Sequence, residues 1–394
     1  MRNSLMPAIS WAAAPAARAD SWHSIVIAFV RAFAAIEVAA AHLRAYFYPG
    51  TRTITDPTLW YQGFAFLTGF AHQAVLLFFV ISGWLVGGSL LDKWRQPDAL
   101  ANYAVDRATR LWTVLLPVFA LTLLLGMVSG QVDMTAVDYT SIGYYSGLTL
   151  LGNIVGLQKI VVPTFGDNFP LWSLANETWY YIMFPLLVVL ARTPRLAPRI
   201  GSLLMLAVLV KLLPTILVLY FALWLLGAAF SRIQINCGNT GRTAFIMFAL
   251  GASVYVRLTT SVDDLSMSSF GPDLLISVLF LLVLCSMRNV APPKGARFLR
   301  VTAVGRYLAE FSFTLYVLHM PLIYLLKHLS VTGAGLHQLS PQSPTHLALY
   351  FAMLGMLVLA AWLFYLLFES RTAQVRRWAK RKLLGRATGA TVPV

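Results

Sequence analysis

Long apolar runs, broken at intervals by short polar or Pro- and Gly-containing stretches, dominate this chain. A helix that crosses a bilayer needs roughly 20 predominantly apolar residues, about 17–25. Ten segments meet or approach that length: 24–44, 64–88, 111–129, 172–191, 200–213, 215–231, 243–258, 272–288, 307–328 and 346–368. The fifth and sixth are short and meet at Pro214, so they can also be read as one bent element. A further apolar stretch, 143–162, is ambiguous by length alone. The pattern predicts an all-α polytopic membrane protein of about ten transmembrane helices. It shows no internal repeat of the transporter kind.

Basic residues settle the ambiguous stretch, because Lys and Arg concentrate in short cytoplasmic loops. With the N-terminus in the cytoplasm and 143–162 not spanning, Arg2 and Arg18 lie inside. So do Lys93, Arg95, Arg107 and Arg110, then Arg192, Arg195 and Arg199, then Arg232 and Arg242. Arg288, Lys294, Arg297, Arg300 and Arg306 follow, and the tail adds a basic run from Arg371 to Arg386. Only Arg44, Arg52, Lys159, Arg257 and Lys327 fall outside or at outer helix ends. If 143–162 spanned, the cluster "ARTPRLAPR" would turn outward. The expectation is therefore ten spans, both termini cytoplasmic, and an outer, re-entrant segment over 130–171.

Composition agrees with this picture and narrows it. Of 394 residues, 58% are hydrophobic and 11% charged, which excludes an ordinary soluble domain. The formal charge of +15 is spread between spans, so it reads as a topology signal and not as a nucleic-acid footprint. Cys237 and Cys285 make neither a disulfide framework nor a metal pattern, and no metal site is expected. The Ala-rich start, broken by Pro7, Pro15, Arg18 and Asp20, has no signal-peptide core. The expected organisation is a cytoplasmic tail over 1–23, a membrane domain over 24–370 and a basic cytoplasmic tail over 371–394 that anchors at the membrane surface.

Against the apolar background a few polar residues stand out, and a charge at the centre of a membrane helix costs roughly 2.5–3.5 kcal/mol on insertion scales. The first span, "FVRAFAAIEVAAAHLRAYF", carries Arg31, Glu37 and His42. At 3.6 residues per turn, Arg31 and His42 share one helix face, about 16–17 Å apart along the axis. Glu37 faces elsewhere, as a structural partner of another helix. The second span ends "LLFFVISGWLVGGSLL", where Ser82, Gly83, Gly87 and Gly88 allow a helix or a ligand to come close. "NYAVDRATRLW" puts Arg107 and Arg110 on one side of a helix start, where a phosphate is favoured. "NFPLWSLANETWYYIMFPLL" supplies Trp172, Ser173 and, a turn further in, Glu177. "YLAEFSFTLYVLHMPLI" places Ser312, Tyr316 and His319 in one polar stripe.

In this order, those motifs resemble the acyltransferase family 3 membrane proteins. The similarity includes the Arg-x10-His of Arg31 and His42, "FFVISGWL", "RATRL", "PLWSLANETWYY" and "FSFTLYVLH", and runs from about residue 25 to 370. Glu37 and Trp84 depart from the usual pattern. The resemblance implies a multipass O-acyltransferase that takes an acyl group, most often acetyl, from cytoplasmic acyl-CoA. The acceptor would be a hydroxyl of an extracytoplasmic glycan or lipid-linked saccharide, and the location a bacterial-type inner membrane. It carries catalytic roles onto His42 and Glu177, the histidine as general base with Glu177 at its other nitrogen. It carries importance also onto Arg31, Arg107, Arg110, Ser82, Ser173 and His319; the implied chemistry suits Arg31, Ser82, Arg107 and Arg110 to donor binding, and Trp172, Ser173, Ser312, Tyr316 and His319 to acceptor binding or support. Acetyl-CoA is then a substrate, no cofactor is bound, and membrane lipids are a further partner, with no nucleic acid. An acyl-histidine intermediate is the competing route. A transporter or flippase of a glycan or lipid-linked intermediate is the competing function, since intramembrane Arg, Glu and His also serve proton relays.

Overall fold

The fold is described from a computed structural model covering residues 8–11, 21–132, 143–259, 265–293 and 295–385. The basic residues Arg2, Arg18, Lys294 and Arg386 and most of the expected N-terminal tail lie outside the described residues. A short strand β1 (Ala8–Trp11) precedes α1 (Trp22–Phe47), α2 (Leu59–Leu67) and α3 (Ala71–Ser82). After a π-helical turn over Gly83–Gly87 come α4 (Gly88–Lys93), α5 (Ala99–Val128), α6 (Gly147–Ile154) and α7 (Trp172–Arg192). Then follow α8 (Leu196–Leu212), α9 (Thr215–Phe230), β2 (Ile233–Asn236), α10 (Asn239–Thr259) and α11 (Phe270–Ser286). The chain closes with α12 (Ala296–Glu310), α13 (Ser312–Ala334), α14 (Pro344–Leu367) and α15 (Thr372–Leu384). The strands pair antiparallel, with Ala8 opposite Asn236 and Trp11 opposite Ile233.

Helix covers all ten segments expected to span, but the segments are not alike. Among the described residues six helical stretches are long and apolar enough to cross a membrane: Trp22–Thr53, Leu59–Lys93, Ala99–Val128, Phe169–Arg192, Ser312–Ala334 and Pro344–Leu384. Thr215–Phe230 and Phe270–Ser286 are apolar but shorter. α8 and α10 are helical without reaching that combination of length and apolarity. The protein is a helical membrane protein.

The ambiguous 143–162 stretch does not form a spanning helix. Its helix, α6, has eight residues, about 12 Å, and the chain turns at Gly156 with φ of +81°. Buried backbone groups must find partners at membrane depth. Here the Trp112 indole donates to the Ile154 carbonyl at 3.0 Å and the Trp179 indole to the Gly156 carbonyl at 2.9 Å. Those two bonds pin the tip of the segment between α5 and α7.

The glycines after α3 have a specific use. A Cβ on Gly83 would lie 1.9 Å from the Trp224 carbonyl oxygen, and one on Gly227 would lie 2.1 Å from that of Val80. The π-turn and α9 therefore cross backbone against backbone, the close approach that small residues permit. Gly83 thus faces α9, and of the Ser82–Gly83 pair only Ser82 reaches the cavity described below. π-Turns inside helices often mark functional positions.

α15 is folded onto the bundle against α5. Lys380 Nζ lies 2.7 Å from Asp106 Oδ1, and Arg376 Nε lies 4.0 Å from it. A basic run that reads as a surface anchor in the sequence is, up to Leu384, a docked helix.

Candidate active site

α1 and α13 run in the same direction and meet through three polar rungs. Arg31 donates to Ser312 Oγ at 3.2 Å and to the Ala309 carbonyl at 3.3 Å. His42 Nδ1 lies 2.9 Å from His319 Nε2, and the Tyr46 hydroxyl donates to that of Tyr324 at 3.2 Å. The shared helix face of Arg31 and His42 therefore faces the stripe of α13.

A cavity of about 340 Å³ opens beside the first rung. It is lined by Arg31, Ser82, Arg107, Arg110, Ser173, Glu177, Ser312 and Tyr316 among apolar side chains of α3, α5 and α7. Eight of the residues singled out in the sequence thus share one chamber, although they come from five helices. Glu177 Oε1 accepts from Ser82 Oγ and from the Tyr181 hydroxyl, both at 2.5 Å. Trp224 Nε1 donates to the same Ser82 Oγ at 3.1 Å. The expected Glu177–His42 contact is replaced: the histidine's Nδ1 meets His319, and the carboxylate meets a serine and a tyrosine. Trp224 and Tyr181 carry no isolated polar signal in the sequence, so their part in this cluster needs the fold.

The two arginines differ. Arg110 Nη1 is 2.6 Å from Glu369 Oε1, and Glu369 Oε2 accepts from the Thr314 amide at 3.1 Å and hydroxyl at 2.5 Å. Glu369 therefore ties Arg110 to the first turn of α13, where a carboxylate is favoured by the helix dipole. Arg107 has no carboxylate partner among the described residues. Its guanidinium lies over the Tyr181 ring at 5.8 Å, and its Nε is buried without a hydrogen bond. Arg107 also borders a second, polar chamber of about 290 Å³, with Lys93, Tyr103, Asn102 and Lys380 in its walls.

Neither histidine of the pair lines the cavity. Tyr316 does, and its ring centroid is 5.9 Å from that of His319. Its hydroxyl lies 2.7 Å from Ser173 Oγ, where one of the two donates to the other, and the Pro170 carbonyl lies 3.1 and 3.0 Å from the two oxygens and accepts the remaining proton. Tyr316 thus borders both the cavity and His319. Trp172 stands behind α3, edge-on to Phe79 at 6.1 Å, as a packing residue and not a lining one.

The hydrogen bonds also fix the ring protons. His319 Nδ1 is 3.2 Å from the Leu315 carbonyl, which can only accept, so Nδ1 carries the proton. In the neutral ring Nε2 is then an acceptor, and His42 Nδ1 must donate to it. That leaves the lone pair of His42 on Nε2. His42 sits edge-on to Phe169 at 4.8 Å.

The sequence model of the acyltransferase family 3 domain matches residues 26–366. The chain belongs to the acyltransferase 3 family. The match takes in every residue of the cavity and the histidine pair, and leaves out Glu369, α15 and β1. No curated protein and no solved structure matches the chain. Membership makes this a membrane acyltransferase. Among the described residues no group of three or more His, Cys, Asp or Glu is arranged to hold a metal ion.

Glu37, outside this site, accepts from the Phe70 amide at 2.8 Å and so caps the start of α3. A second buried polar group lies apart as well: His72 Nε2 is 3.0 Å from both oxygens of Asp273, and Oδ2 also accepts from Tyr220 at 2.5 Å.

Proposed function

We propose that this acyltransferase moves an acyl group, acetyl in the simplest case, from cytoplasmic acyl-CoA to a hydroxyl of an extracytoplasmic glycan or lipid-linked saccharide. The chain then has ten spans, with both termini inside an inner (cell) membrane. The observation that carries the reading is the order of the parts: a polar chamber walled by Lys93, Arg107 and the Asp106-paired Lys380, then a cavity, Tyr316 and a histidine pair. Lys93, Arg107 and Lys380 suit the donor's phosphates, which Arg and Lys bind strongly when desolvated. The thin pantetheine arm runs through the cavity past Ser82 and Glu177 toward Ser173 and Tyr316. Arg31 lines the way, and Arg110 holds the cavity's shape through Glu369.

His42 Nε2 is the base. It takes the proton of the acceptor hydroxyl as the oxygen attacks the thioester carbonyl, and CoA leaves as thiolate. His319 fixes the tautomer and orients the ring, the part an acidic residue plays in catalytic triads. Glu177 acts as an acceptor within the donor channel. To reach His42 the acyl group must pass the ring of Tyr316.

Membranes containing wild type or His42→Ala, incubated with radiolabelled acetyl-CoA and host glycans, test the reading. Label should reach glycan only with wild type. Equal labelling with His42→Ala would remove the base, and no label with either would remove acetyl transfer.

A further inference from the structure

The third rung of the α1–α13 contact carries a proton count of its own. The Tyr324 hydroxyl lies 2.8 Å from the Asp167 carbonyl, which can only accept, so Tyr324 donates to it. The Tyr46 hydroxyl, 3.2 Å from that of Tyr324, must then be the donor of that pair. Both phenol protons are thereby engaged, while both oxygens keep lone pairs. Asp167 Oδ2 lies 3.5 Å from the Tyr324 hydroxyl, and an ionised carboxylate adds acceptor sites and no donor. Tyr144 and Lys159 also act on that carboxylate, but its two oxygens offer about four lone-pair positions.

These groups stand next to the base. Tyr46 follows His42 by four residues on α1, about 6 Å along the axis. Helical side chains tilt toward the N-terminus of their helix, so Tyr46 leans back toward His42 and Tyr324 toward His319. The loop that holds Asp167 continues to Phe169, whose ring centroid is 4.8 Å from that of His42. Tyr46, Tyr324, Asp167 and Phe169 all keep part of their surface accessible. With His42 Nε2, these residues present lone pairs on four side chains beside an aromatic ring, and no unengaged proton. A ligand that fits must therefore bring the protons. A neutral sugar brings one with each hydroxyl and lays an apolar ring face against Phe169. An ionised carboxylate brings none and meets Asp167 as a like charge.

We propose that Tyr46, Tyr324 and Asp167 form the acceptor subsite, and that it selects a neutral saccharide over an acidic one. The hydroxyl to be acylated donates to His42 Nε2, and a neighbouring hydroxyl donates to the phenols and carboxylate one turn further along α1. Calling the bound sugar the acceptor rests on the reading of His42 as the base.

The test uses the full chain in nanodiscs at about pH 8, well above the ordinary carboxylate value, with no donor present. The probes are alkyl glycosides with one photoreactive aglycone, carried by glucose, galactose or mannose and by the three matching uronic acids. Cross-linked peptides are mapped by mass spectrometry. At least one neutral glycoside should label the 164–171 loop and the C-terminal half of α13 about tenfold above its uronide, the worth of a hydrogen bond to a charged group. Asp167→Asn keeps a residue that tolerates the backbone φ of +51° but puts an N–H donor in the site. It should bring that ratio close to one. Tyr324→Phe should weaken labelling by the neutral probe several-fold. Equal labelling by sugar and uronide, or no labelling there by any neutral probe, would overturn the proposal. So would a ratio that both variants leave unchanged. Cross-linking reads binding without turnover, so a chain that labels as expected but transfers no acetyl group would remove the base and leave the subsite.

Discussion

His319 accepts from His42 across the α1–α13 contact, and the Leu315 carbonyl behind it dictates which way that bond runs. One backbone oxygen thereby determines which nitrogen of the other helix's histidine is free to act as a base. His42→Ala should lower kcat by about 10²–10⁴, the usual worth of a positioned base. His319→Ala should lower kcat less, and donor KM should hold for both. A His319→Ala enzyme with the wild-type rate and pH profile would make the pair a packing contact only.

Arg107 and Arg110 should separate in their effects. Arg107→Ala is expected to raise the donor KM several-fold, with little change in thermal stability in detergent. Arg110→Ala strands the buried Glu369 carboxylate, and breaking such a pair costs about 3–5 kcal/mol. Melting temperature should fall for Arg110→Ala and recover in part when Glu369→Gln is added. A KM effect confined to Arg110→Ala would reverse the two roles.

Gly83→Ala and Gly227→Ala each push a methyl into a backbone carbonyl, which no side-chain rotation relieves. Overpacking of this kind costs about 1–3 kcal/mol or more. Both variants should lose melting temperature and activity together. Gly251→Ala, where an added Cβ meets nothing within 4 Å, is the control and should behave as wild type.

Glu37 tests a structural role for an intramembrane carboxylate. Glu37→Gln keeps an oxygen for the Phe70 amide and should fold normally. Glu37→Ala leaves that amide unpaired and should cost about 1–3 kcal/mol. If both variants keep full stability but lose transfer, the residue belongs to the chemistry after all.

Asp167 lies in the loop before α7 at φ of +51°, and burial raises its carboxyl above the ordinary carboxylate value. The folded state therefore holds this proton more tightly than the unfolded chain. Its contribution is present at low pH and lost as pH rises through the raised value. Asp167→Asn should raise the melting temperature at about pH 8 and lose that advantage near about pH 3, below the ordinary carboxylate value. A gain independent of pH would point to backbone strain instead.

Much of the site is legible in the sequence because polar residues in apolar runs are few. Arg31, His42, Ser312, Tyr316 and His319 each stand out singly, and helical spacing already puts them in two stripes. What spacing cannot give is which stripe meets which. Glu177 and His42 look like partners, yet the fold gives His42 to His319 and Glu177 to Ser82 and Tyr181. Glu369 was invisible for another reason: it sits in a basic stretch, where a carboxylate reads as surface, until α14 ends beside α13. The span count is the least legible feature, since α8 and α10 are helical without being strongly apolar, and helix and membrane crossing are separate properties.

The ring of Tyr316 has an electrical consequence. A bundle with arginines and a carboxylate in a chamber on one side, and titratable imidazoles on the other, is close to being a proton conduit. Each elementary charge that moved down the membrane potential would release about 2.3 kcal/mol per 100 mV. One aromatic side chain, held by Ser173 and the Pro170 carbonyl, interrupts that path. On the proposed route, the donor chain that displaces the ring would fill the gap it leaves.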